Sequence, residues 1–450
     1  MENLNHKIKD LSTGGFVLVL DTGAKIDPQA EAMLQALHSR STGGIKSHLE
    51  TLKKRGAENF MERFYVGYGH KSIGDCGSVT VFVEGISMLA AKAIQDWRLY
   101  SGQEASTRYI DFSNQPFLDP LNSEKTKNIL ENWRTFYLNA QDELRKHLEK
   151  QFPKKDEEDQ EIYNKAIKAR AFDITRSFLP AGATTNVAWR MNMRQFADEL
   201  MLLRHHPLPE IREIAEQTEA CLQEQFPQSF SHKRYEETEK YNEKIMQNYY
   251  YINDEAEDFK LLYDKIDREL LKKHKNILES RPPKTELPPF VAETGIIGYE
   301  FLLDFGSFRD IQRHRAVVQR MPLLTRKHGF RQWYLDSLPE KLRNEAEILI
   351  KQQENLISEI DTSEEIKQYY TAMGYQVPSR VIGDLKAIVY LVELRCTRFV
   401  HPTIIPQIQK IIKNLKESFS EFGLVIHVDE EPNRFDIKRG QHDIVEKVNS

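Results

Sequence analysis

The chain has 450 residues, of which 40% are hydrophobic and 29% charged, and its formal net charge is −5. This length predicts two domains, and the small net charge gives no global attraction for nucleic acid or an acidic membrane surface. The three widely spaced cysteines argue against a disulfide framework or a zinc site. The polar start of the chain and the absence of an apolar run near the roughly 18 residues of a membrane span predict a cytoplasmic protein with no membrane partner.

The first half of the sequence alternates short apolar runs with longer helical patterns. GFVLVLDTG at 15–23 and SVTVFVEGIS at 78–87 predict strands. Helical periodicity, with start and stop signals, predicts helices at 29–60 with a break near Gly43-Gly44, 88–100, 128–151, 165–178, 189–204 and 210–225.

The composition changes between residues 229 and 286, where Lys, Glu, Asp and Tyr dominate. This predicts charged helices and a connection, and a solvated spacer is the simplest interpretation. Beyond it, IIGYEFLLDF at 296–305 predicts a strand, with helices at 309–318 and 386–394. The strand-then-helix order of the first half recurs weakly here, and predicts related domains at 1–228 and 291–450 joined by a linker at 229–290.

A polar segment, SGQEASTRY at 101–109, collects hydroxyls, an amide, a carboxylate and a guanidinium. As a loop it offers Ser106 and Arg108 to a phosphate and Gln103 to a base edge. Polar loops of this kind are common without any ligand, so the segment alone does not establish a site.

Arg313-His314-Arg315 concentrates positive charge beside the apolar residues around Phe305. On a helix these side chains fan over most of a turn, and guanidiniums beside apolar groups are costly unless anions meet them. An exposed basic helix end paired with Asp304 or Asp310 is the alternative that needs no ligand.

Together these segments resemble the flavin-dependent thymidylate synthases, whose signature is Arg-His-Arg followed by a serine and an Arg-Tyr pair. The second half has Arg313-His314-Arg315 but Leu323 where the serine is expected. The first half has the 101–109 segment, but Asp96-Trp97-Arg98 stands at the signature positions. Each half therefore keeps what the other has lost.

The resemblance covers most of 60–225 and, more faintly, 295–415. In the first half it includes an upstream element and a later segment, carried by His70, Ser72, Arg176, Thr185, Trp189, Asn192, Arg194 and Arg204. In the second half Arg395 corresponds to Arg204, Tyr370 is aligned with Arg176, and Asp384 lies near the position of Asn192.

The resemblance implies an α+β fold of two tandem domains, each a small antiparallel sheet packed with long helices. It implies an enzyme that converts dUMP to dTMP, with FAD as cofactor and with methylenetetrahydrofolate and NADPH as co-substrates. The family is a homotetramer with sites between subunits, so a duplicated chain would form a homodimer, a pseudo-tetramer.

Residue by residue, the resemblance implies catalytic roles for Arg313, His314 and Ser106. The residues implied in nucleotide binding are Gln103, Glu104, Ser106, Arg108, Arg176, Arg313 and Arg395. Those implied on the flavin and folate side are His70, Ser72, Asn192, Arg194, Arg313, His314 and Arg315. A core role for His70 and a helix-surface role for Asn192 and Arg194 are alternatives. His205-His206 lack a third ligand at metal spacing, so no metal site is expected.

Two other functions stay open. The replacements at Asp96-Trp97 and Leu323 also fit a related flavin-dependent pyrimidine-modifying enzyme with an altered substrate. A pseudoenzyme that binds a nucleotide without turnover is the second alternative.

Overall fold

The computed structural model describes residues 6–20, 27–40, 44–67, 69, 71–107 and 110–438. The strands are β1 (His6–Asp10), β2 (Phe16–Leu20), β3 (Ser78–Ser87), β4 (Ser101–Glu104), β5 (Thr184–Asn192), β6 (Phe259–Asp264), β7 (Ile297–Asp304), β8 (Val318–Arg320) and β9 (Gln376–Gly383). The helices are α1 (Pro28–Arg40), α2 (Gly44–Arg55), α3 (Glu58–Phe60), α4 (Lys71–Gly74), α5 (Met88–Gln95), α6 (Glu124–Gln151), α7 (Gln160–Thr175), α8 (Met193–Leu203), α9 (Pro209–Gln225), α10 (Glu236–Tyr249), α11 (Arg268–Lys273), α12 (Lys275–Glu279), α13 (Phe305–Gln312), α14 (Gln332–Asp336), α15 (Glu340–Ser358), α16 (Glu364–Lys367), α17 (Leu385–Arg395) and α18 (Ile405–Phe419). A π-helix lies at Met61–Gly67, and 3-10 turns lie at Arg176–Phe178, Pro289–Thr294, Gln368–Tyr370 and Ser420–Phe422.

The chain forms two compact units that alternate along the sequence. Unit 1 contains the described residues up to Ile110, together with Gln115–Leu118 and Gly182–Tyr251. Unit 2 contains Asp111–Asn114, Asp119–Ala181 and the described residues from Ile252 onward. The long helices α6 and α7 therefore belong to unit 2, while α10, from the charged stretch, belongs to unit 1. The domain boundaries at 228 and 290 stay a prediction about the repeat.

Unit 1 is built on an antiparallel sheet in the order β1-β2-β3-β5-β4. Val17 and Val19 of β2 are fully buried, as expected for alternate residues that share one face of a strand. They lie on the strand against which α9 packs. The sheet is covered on this face by a helix whose apolar stripe includes Ile211 and Ile214, both fully buried.

Unit 2 is built on a second antiparallel sheet in the order β6-β7-β9-β8. β7 is one of its two interior strands, and Ile297, Tyr299, Phe301 and Leu303 are fully buried. α18 packs on β7. In the described ranges no helix is both long and apolar enough to cross a bilayer.

The two sheets have the same topology, since β2-β3-β5-β4 and β6-β7-β9-β8 follow the same chain order. We call β2 to α9 the first repeat and β6 to α18 the second repeat. In each repeat the central strand leads into an eight-residue helix, α5 or α13, whose N-cap is Ser87 or Asp304. The last strand leads into α8 or α17, capped by Asn192 or Asp384. The predicted α+β fold of two tandem domains is confirmed.

Inside unit 2, equivalent segments of the two repeats meet. The N–H of Ala181 donates to the carbonyl of Thr371, and the N–H of Met373 donates to the carbonyl of Leu179, both at 2.9 Å. Ala181 and Met373 are equivalent positions of the two repeats, and so are Leu179 and Thr371, so each repeat donates to the other in the same way. Such reciprocity characterises a twofold interface between identical subunits. The duplication has therefore brought a twofold contact within one chain.

Three predicted elements differ in the structure. The predicted helix at 189–204 begins as strand β5 through Asn192, because this segment pairs with β3 on one side and β4 on the other. The polar segment expected as a loop starts as the edge strand β4. The charged stretch contains β6, which pairs with β7; as an outer strand with exposed residues such as Leu261, it lacks the apolar run that marks a central strand.

Candidate functional site

The Arg313-His314-Arg315 segment lies on a turn at the end of α13. Arg313 is the C-cap, and the N–H of His314 donates to the carbonyl of Ile311 at 2.9 Å. The expectation of a helical segment is therefore wrong after Gln312, where the helix ends. Because the backbone turns, Arg313 and Arg315 are exposed, whereas His314 is only 6% exposed.

His314 is held by a hydrogen bond from α17. Nε of Arg395, the last residue of that helix, donates to Nε2 of His314 at 2.8 Å. Burial, together with the positive charges of Arg395 and Arg313, lowers the pKa of His314 to about 3. The imidazole is therefore neutral at physiological pH, and because Nε2 accepts, Nδ1 carries the hydrogen.

Asp310 lies within electrostatic range of three arginines in unit 2. Burial opposes ionisation of its carboxyl group, but the charges of Arg176, Arg313 and Arg395 hold its pKa below the ordinary value. The arginines come from the C-cap of α7, the C-cap of α13 and the end of α17. The structure thus brings together three predicted nucleotide-binding residues that are far apart in sequence. We call Arg176, Arg313, Arg395 and Asp310 the arginine cluster.

One donor in the arginine cluster has no acceptor. Nε of Arg176 is buried and has no hydrogen-bond partner among the described residues. Buried polar groups in folded proteins almost always have partners, and guanidinium donors match carboxylate and phosphate oxygens. The geometry is therefore that of an anion site.

A buried polar network contacts α13 at Ser307. Oγ of Ser307 lies 2.7 Å from Oγ1 of Thr403 and 3.0 Å from Nδ1 of His401. Nε2 of His401 lies 3.2 Å from the carbonyl oxygen of Asp173 on α7. The network ties the helix of Arg313 to the helix that ends at Arg176. The sequence analysis did not identify these supporting residues, nor the central role of Asp310, although its position one turn before Arg313 placed both on one helix face.

The repeat alignment corrects one predicted correspondence. Arg176 opens the 3-10 turn of the first repeat, and Gln368 opens that of the second. Strand start and helix cap then follow at equal spacing, at Thr184 and Asn192 and at Gln376 and Asp384. Gln368, rather than Tyr370, is thus the counterpart of Arg176.

The first repeat has no arginine cluster at the corresponding place. The C-cap of α5, where the second repeat has Arg313, is Asp96, and its carboxylate accepts from Nζ of Lys92 at 2.6 Å. Nε1 of Trp97, at the position of His314, donates to Oε1 of Gln195 at 2.8 Å.

The predicted cofactor residues of the first half lie in unit 1. Nδ2 of Asn192 donates to Oδ1 of Asp75 at 3.1 Å, and Nε of Arg194 lies 3.0 Å from the same oxygen. Ser72 is exposed on α4. His70 lies outside the described residues. Asn192 and Arg194, at the start of α8, therefore both contact the carboxylate of Asp75.

Next to this group, unit 1 contains a cavity of about 210 Å³. Basic side chains, including Lys71, Arg194 and Arg234, line it alongside acidic ones. The hydroxyl group of Tyr65, also in the lining, is buried without a hydrogen-bond partner among the described residues. The cavity therefore offers donors to an anionic group.

The predicted nucleotide-binding residues of the polar segment also lie in unit 1. Gln103 and Glu104 end β4, and Oε2 of Glu104 accepts from Nε2 of Gln95 at 2.8 Å. Ser106 is exposed beyond the strand. Arg108 lies outside the described residues. Leu323, at the position of the signature serine, is 5% exposed and belongs to the core of unit 2.

No group of His, Cys, Asp and Glu in the described ranges could hold a metal ion. The three cysteines are free. Burial raises the pKa of Cys396 to about 11, so its thiol is protonated at neutral pH.

Comparison with known proteins identifies relatives across the chain. Residues 24–228 match the family model of the thymidylate synthase complementing protein. A UPF0159 protein of Chlamydia muridarum is 28% identical over alignments covering 88% of each chain. A UPF0159 protein of Chlamydia pneumoniae is 26% identical over 75% of this chain and 74% of its own, and one of Thermoplasma acidophilum is 23% identical over 77% and 84%. Residues 24–228 are therefore similar to the thymidylate synthase complementing proteins, and the relatives at 23–28% identity extend over most of the chain.

Proposed function

We propose that this protein converts dUMP to dTMP by reductive methylation, with methylenetetrahydrofolate as the carbon donor and NADPH as the reductant. The observation that carries the proposal is the arginine cluster, in which Nε of Arg176 is buried without an acceptor. A nucleotide phosphate would supply that acceptor. The similarity of residues 24–228 to the thymidylate synthase complementing proteins supports the flavin-dependent chemistry.

The second repeat's residues would act by binding and by placing charge. Negative charge develops on the uracil ring as its C5 attacks a one-carbon electrophile, and Arg313, exposed at the end of α13, would stabilise it. Loss of a donor from such a site typically costs roughly 2.7–4 kcal/mol of barrier. The neutral His314 would orient Arg395 and offer its Nδ1 hydrogen, since its low pKa keeps it from adding a further positive charge.

FAD would supply the hydride that completes the methyl group. The donors of unit 1 fit an anionic cofactor, since Lys71 and Arg194 line a cavity with the unpartnered hydroxyl of Tyr65. Asn192 and Arg194, both next to Asp75, would hold the cofactor, with Ser72 and His70 nearby in sequence. The family resemblance also assigns Arg313, His314 and Arg315 to the flavin and folate side.

A related reaction on another pyrimidine is the second candidate, and Asp310 is the observation that favours it. A carboxylate among three guanidiniums weakens the attraction of the cluster for a phosphate dianion. It also offers an acceptor to a hydroxyl or amide donor of a substrate. A substrate with fewer negative charges than dUMP would fit such a cluster.

The test is turnover with defined substrates. Purified protein loaded with FAD is given dUMP, methylenetetrahydrofolate and NADPH without oxygen, and dTMP is measured by chromatography. We expect product from the natural protein and none from Arg313→Ala. Arg145→Ala, which removes an exposed guanidinium paired with Asp142 on α6, is the control that should retain activity.

Each negative result has a definite meaning. If flavin is retained but only other pyrimidine nucleotides or nucleosides react, the altered-substrate candidate replaces dUMP. If the protein binds dUMP but forms no product with any of them, it is a pseudoenzyme. If neither FAD nor dUMP binds, the proposed function is wrong.

A further inference from the structure

In the first repeat, the positions that correspond to the arginine cluster are covered by α10 and by the residue that follows it. This segment lies outside the first repeat, which ends with α9. Asp96 is the counterpart of Arg313, since both are C-caps, of α5 and α13. Arg204, the C-cap of α8, lies one position beyond the counterpart of Arg395, which is the last helical residue of α17 before its C-cap Cys396. Both Asp96 and Arg204 contact the charged stretch that follows α9.

Arg204 is bound by a carboxylate from α10. Its Nε donates to Oε2 of Glu239 at 2.7 Å, and its NH2 group contacts the other carboxylate oxygen. Nε2 of His205 lies 2.8 Å from Oε2 of the same residue. Hydrogen bonds from Arg204 lower the pKa of Glu239 to about 2. The side chain of Arg204 is only 8% exposed, and Oε2 of Glu219 lies 3.7 Å from its Nη1, so Glu239 is the hydrogen-bonded member of the two carboxylates that make its burial possible.

The counterpart of Arg313 is covered by the residue that follows α10. The hydroxyl group of Tyr250 lies 3.4 Å from Oδ2 of Asp96, and its ring meets that of His206 at a centroid distance of 4.2 Å. The Asp96–Lys92 ion pair beneath has side-chain exposures of 13% and 6%. Asp96 thus faces a phenol and an ammonium group where the second repeat presents guanidiniums.

These contacts come from one face of α10 and from its C-cap, Tyr250. Glu239, Asn242 and Met246 follow one another at helical spacing, and Asn242 and Met246 are each 5% exposed. α10 packs on α8. This part of the charged stretch is therefore docked, and the solvated-spacer interpretation does not hold for it.

We propose that residues 236–250 are a permanent internal occupant of the first repeat's former ligand site. The carboxylate of Glu239 takes the place of a ligand anion at Arg204, and Tyr250 closes the position lost when arginine became Asp96. The anion position at Arg204 is then filled by the chain itself, in the wall of the cavity that Arg204 and Glu239 also line, and the first repeat gains stability from a contact that the second repeat leaves to its substrate. The proposal rests on the repeat alignment and does not depend on the proposed reaction.

The test is chemical rescue of a full-length variant. Glu239→Ala removes the carboxylate hydrogen-bonded to Arg204 and leaves it only Glu219, whose Oε2 lies 3.7 Å from Nη1, and we expect the Tm of the unfolding transition to fall by roughly 6–12 °C. Sodium acetate, a carboxylate small enough for the vacated position, should restore much of that Tm. Sodium chloride at equal ionic strength should not.

Glu236→Ala is the matched control, because Glu236 lies on the same helix in an exposed pair with Lys240. Its Tm should change by less than about 1 °C, with no response to acetate. If Glu239→Ala does not fold, Glu239→Gln takes its place, because glutamine keeps the shape of the side chain and removes only its charge. Its Tm should fall through the loss of that charge alone. Equal Tm values for Glu239→Ala and Glu236→Ala, or an acetate effect of the same size in both, would overturn the proposal. A failed assay for dTMP would leave these outcomes unchanged.

Discussion

Nε of Arg395 donates a hydrogen bond to Nε2 of His314 over 2.8 Å. A guanidinium that donates to an imidazole requires the imidazole to be neutral. It also fixes which ring nitrogen carries the hydrogen. This one bond joins the last residue of α17 to the turn after α13, and so sets the geometry of the arginine cluster.

The first prediction concerns pH. The pKa of His314 is about 3 in the folded protein and about 6.5 in an unfolded chain. Between those values the unfolded state binds a proton that the folded state does not. The contribution of His314 to the free energy of unfolding is therefore fully present above pH 6.5 and is lost as the pH falls. The contribution has a slope of up to about 1.4 kcal/mol per pH unit.

The measurement is urea unfolding of the natural protein and of His314→Gln between pH 4 and pH 8. Other groups titrate in both proteins, so the difference between the two free energies of unfolding isolates His314. That difference should fall below pH 6.5. Parallel curves would show that His314 is not held neutral.

The second prediction is that each chain binds one dUMP. Arg313→Ala, Arg176→Ala and Arg395→Ala should each raise the Kd by about 10- to 150-fold, because each removes a hydrogen bond to a charged group. Gln368→Ala, at the counterpart of Arg176, should leave the Kd unchanged. Calorimetric titration gives both affinity and stoichiometry.

Ser106→Ala should weaken the same binding event, since the family resemblance assigns Ser106 to the nucleotide. Two equivalent dUMP sites per chain would contradict the difference between Asp96 and Arg313. Unchanged affinity in Arg313→Ala would remove the arginine cluster from the site.

The third prediction is retention of FAD. Purified protein should show flavin absorption bands, and heat should release FAD rather than FMN. Arg194→Ala should retain less flavin after gel filtration, because it removes a cation from the lining of the unit 1 cavity. Arg190→Ala removes an exposed guanidinium that donates to Ser78 on the neighbouring strand, and it should retain as much as the natural protein. Equal loss in both variants would argue for a general destabilisation.

The fourth prediction is a homodimer. The sites implied by the family resemblance need four domains, and each chain would supply two. Light scattering should give about twice the 52.6 kDa mass of one chain. A monomer at micromolar concentration would contradict the pseudo-tetramer.

Local sequence was sufficient for much of the fold. The β-branched run at 78–87 is strand β3, and the periodic segment predicted at 210–225 is α9. The helix predicted for residues 189–192 was wrong because a segment of four residues with apolar members fits a helix or a strand equally well. Only pairing with β3 and β4 decides it. The correspondence of Arg176 with Gln368 likewise needed the observed caps, because the two repeats share little identity.

The sequence by itself determined the family resemblance, the α+β class and the complementary losses at Asp96 and Leu323, because these depend on residue types in a fixed order. Tertiary structure alone decided that the charges of Arg176, Arg313 and Arg395 act on Asp310, and that Glu239 binds Arg204. Those contacts join residues far apart in the chain, and no local pattern records them. Burial then gave them their chemistry, since a charge removed from water must find a partner wherever the fold provides one.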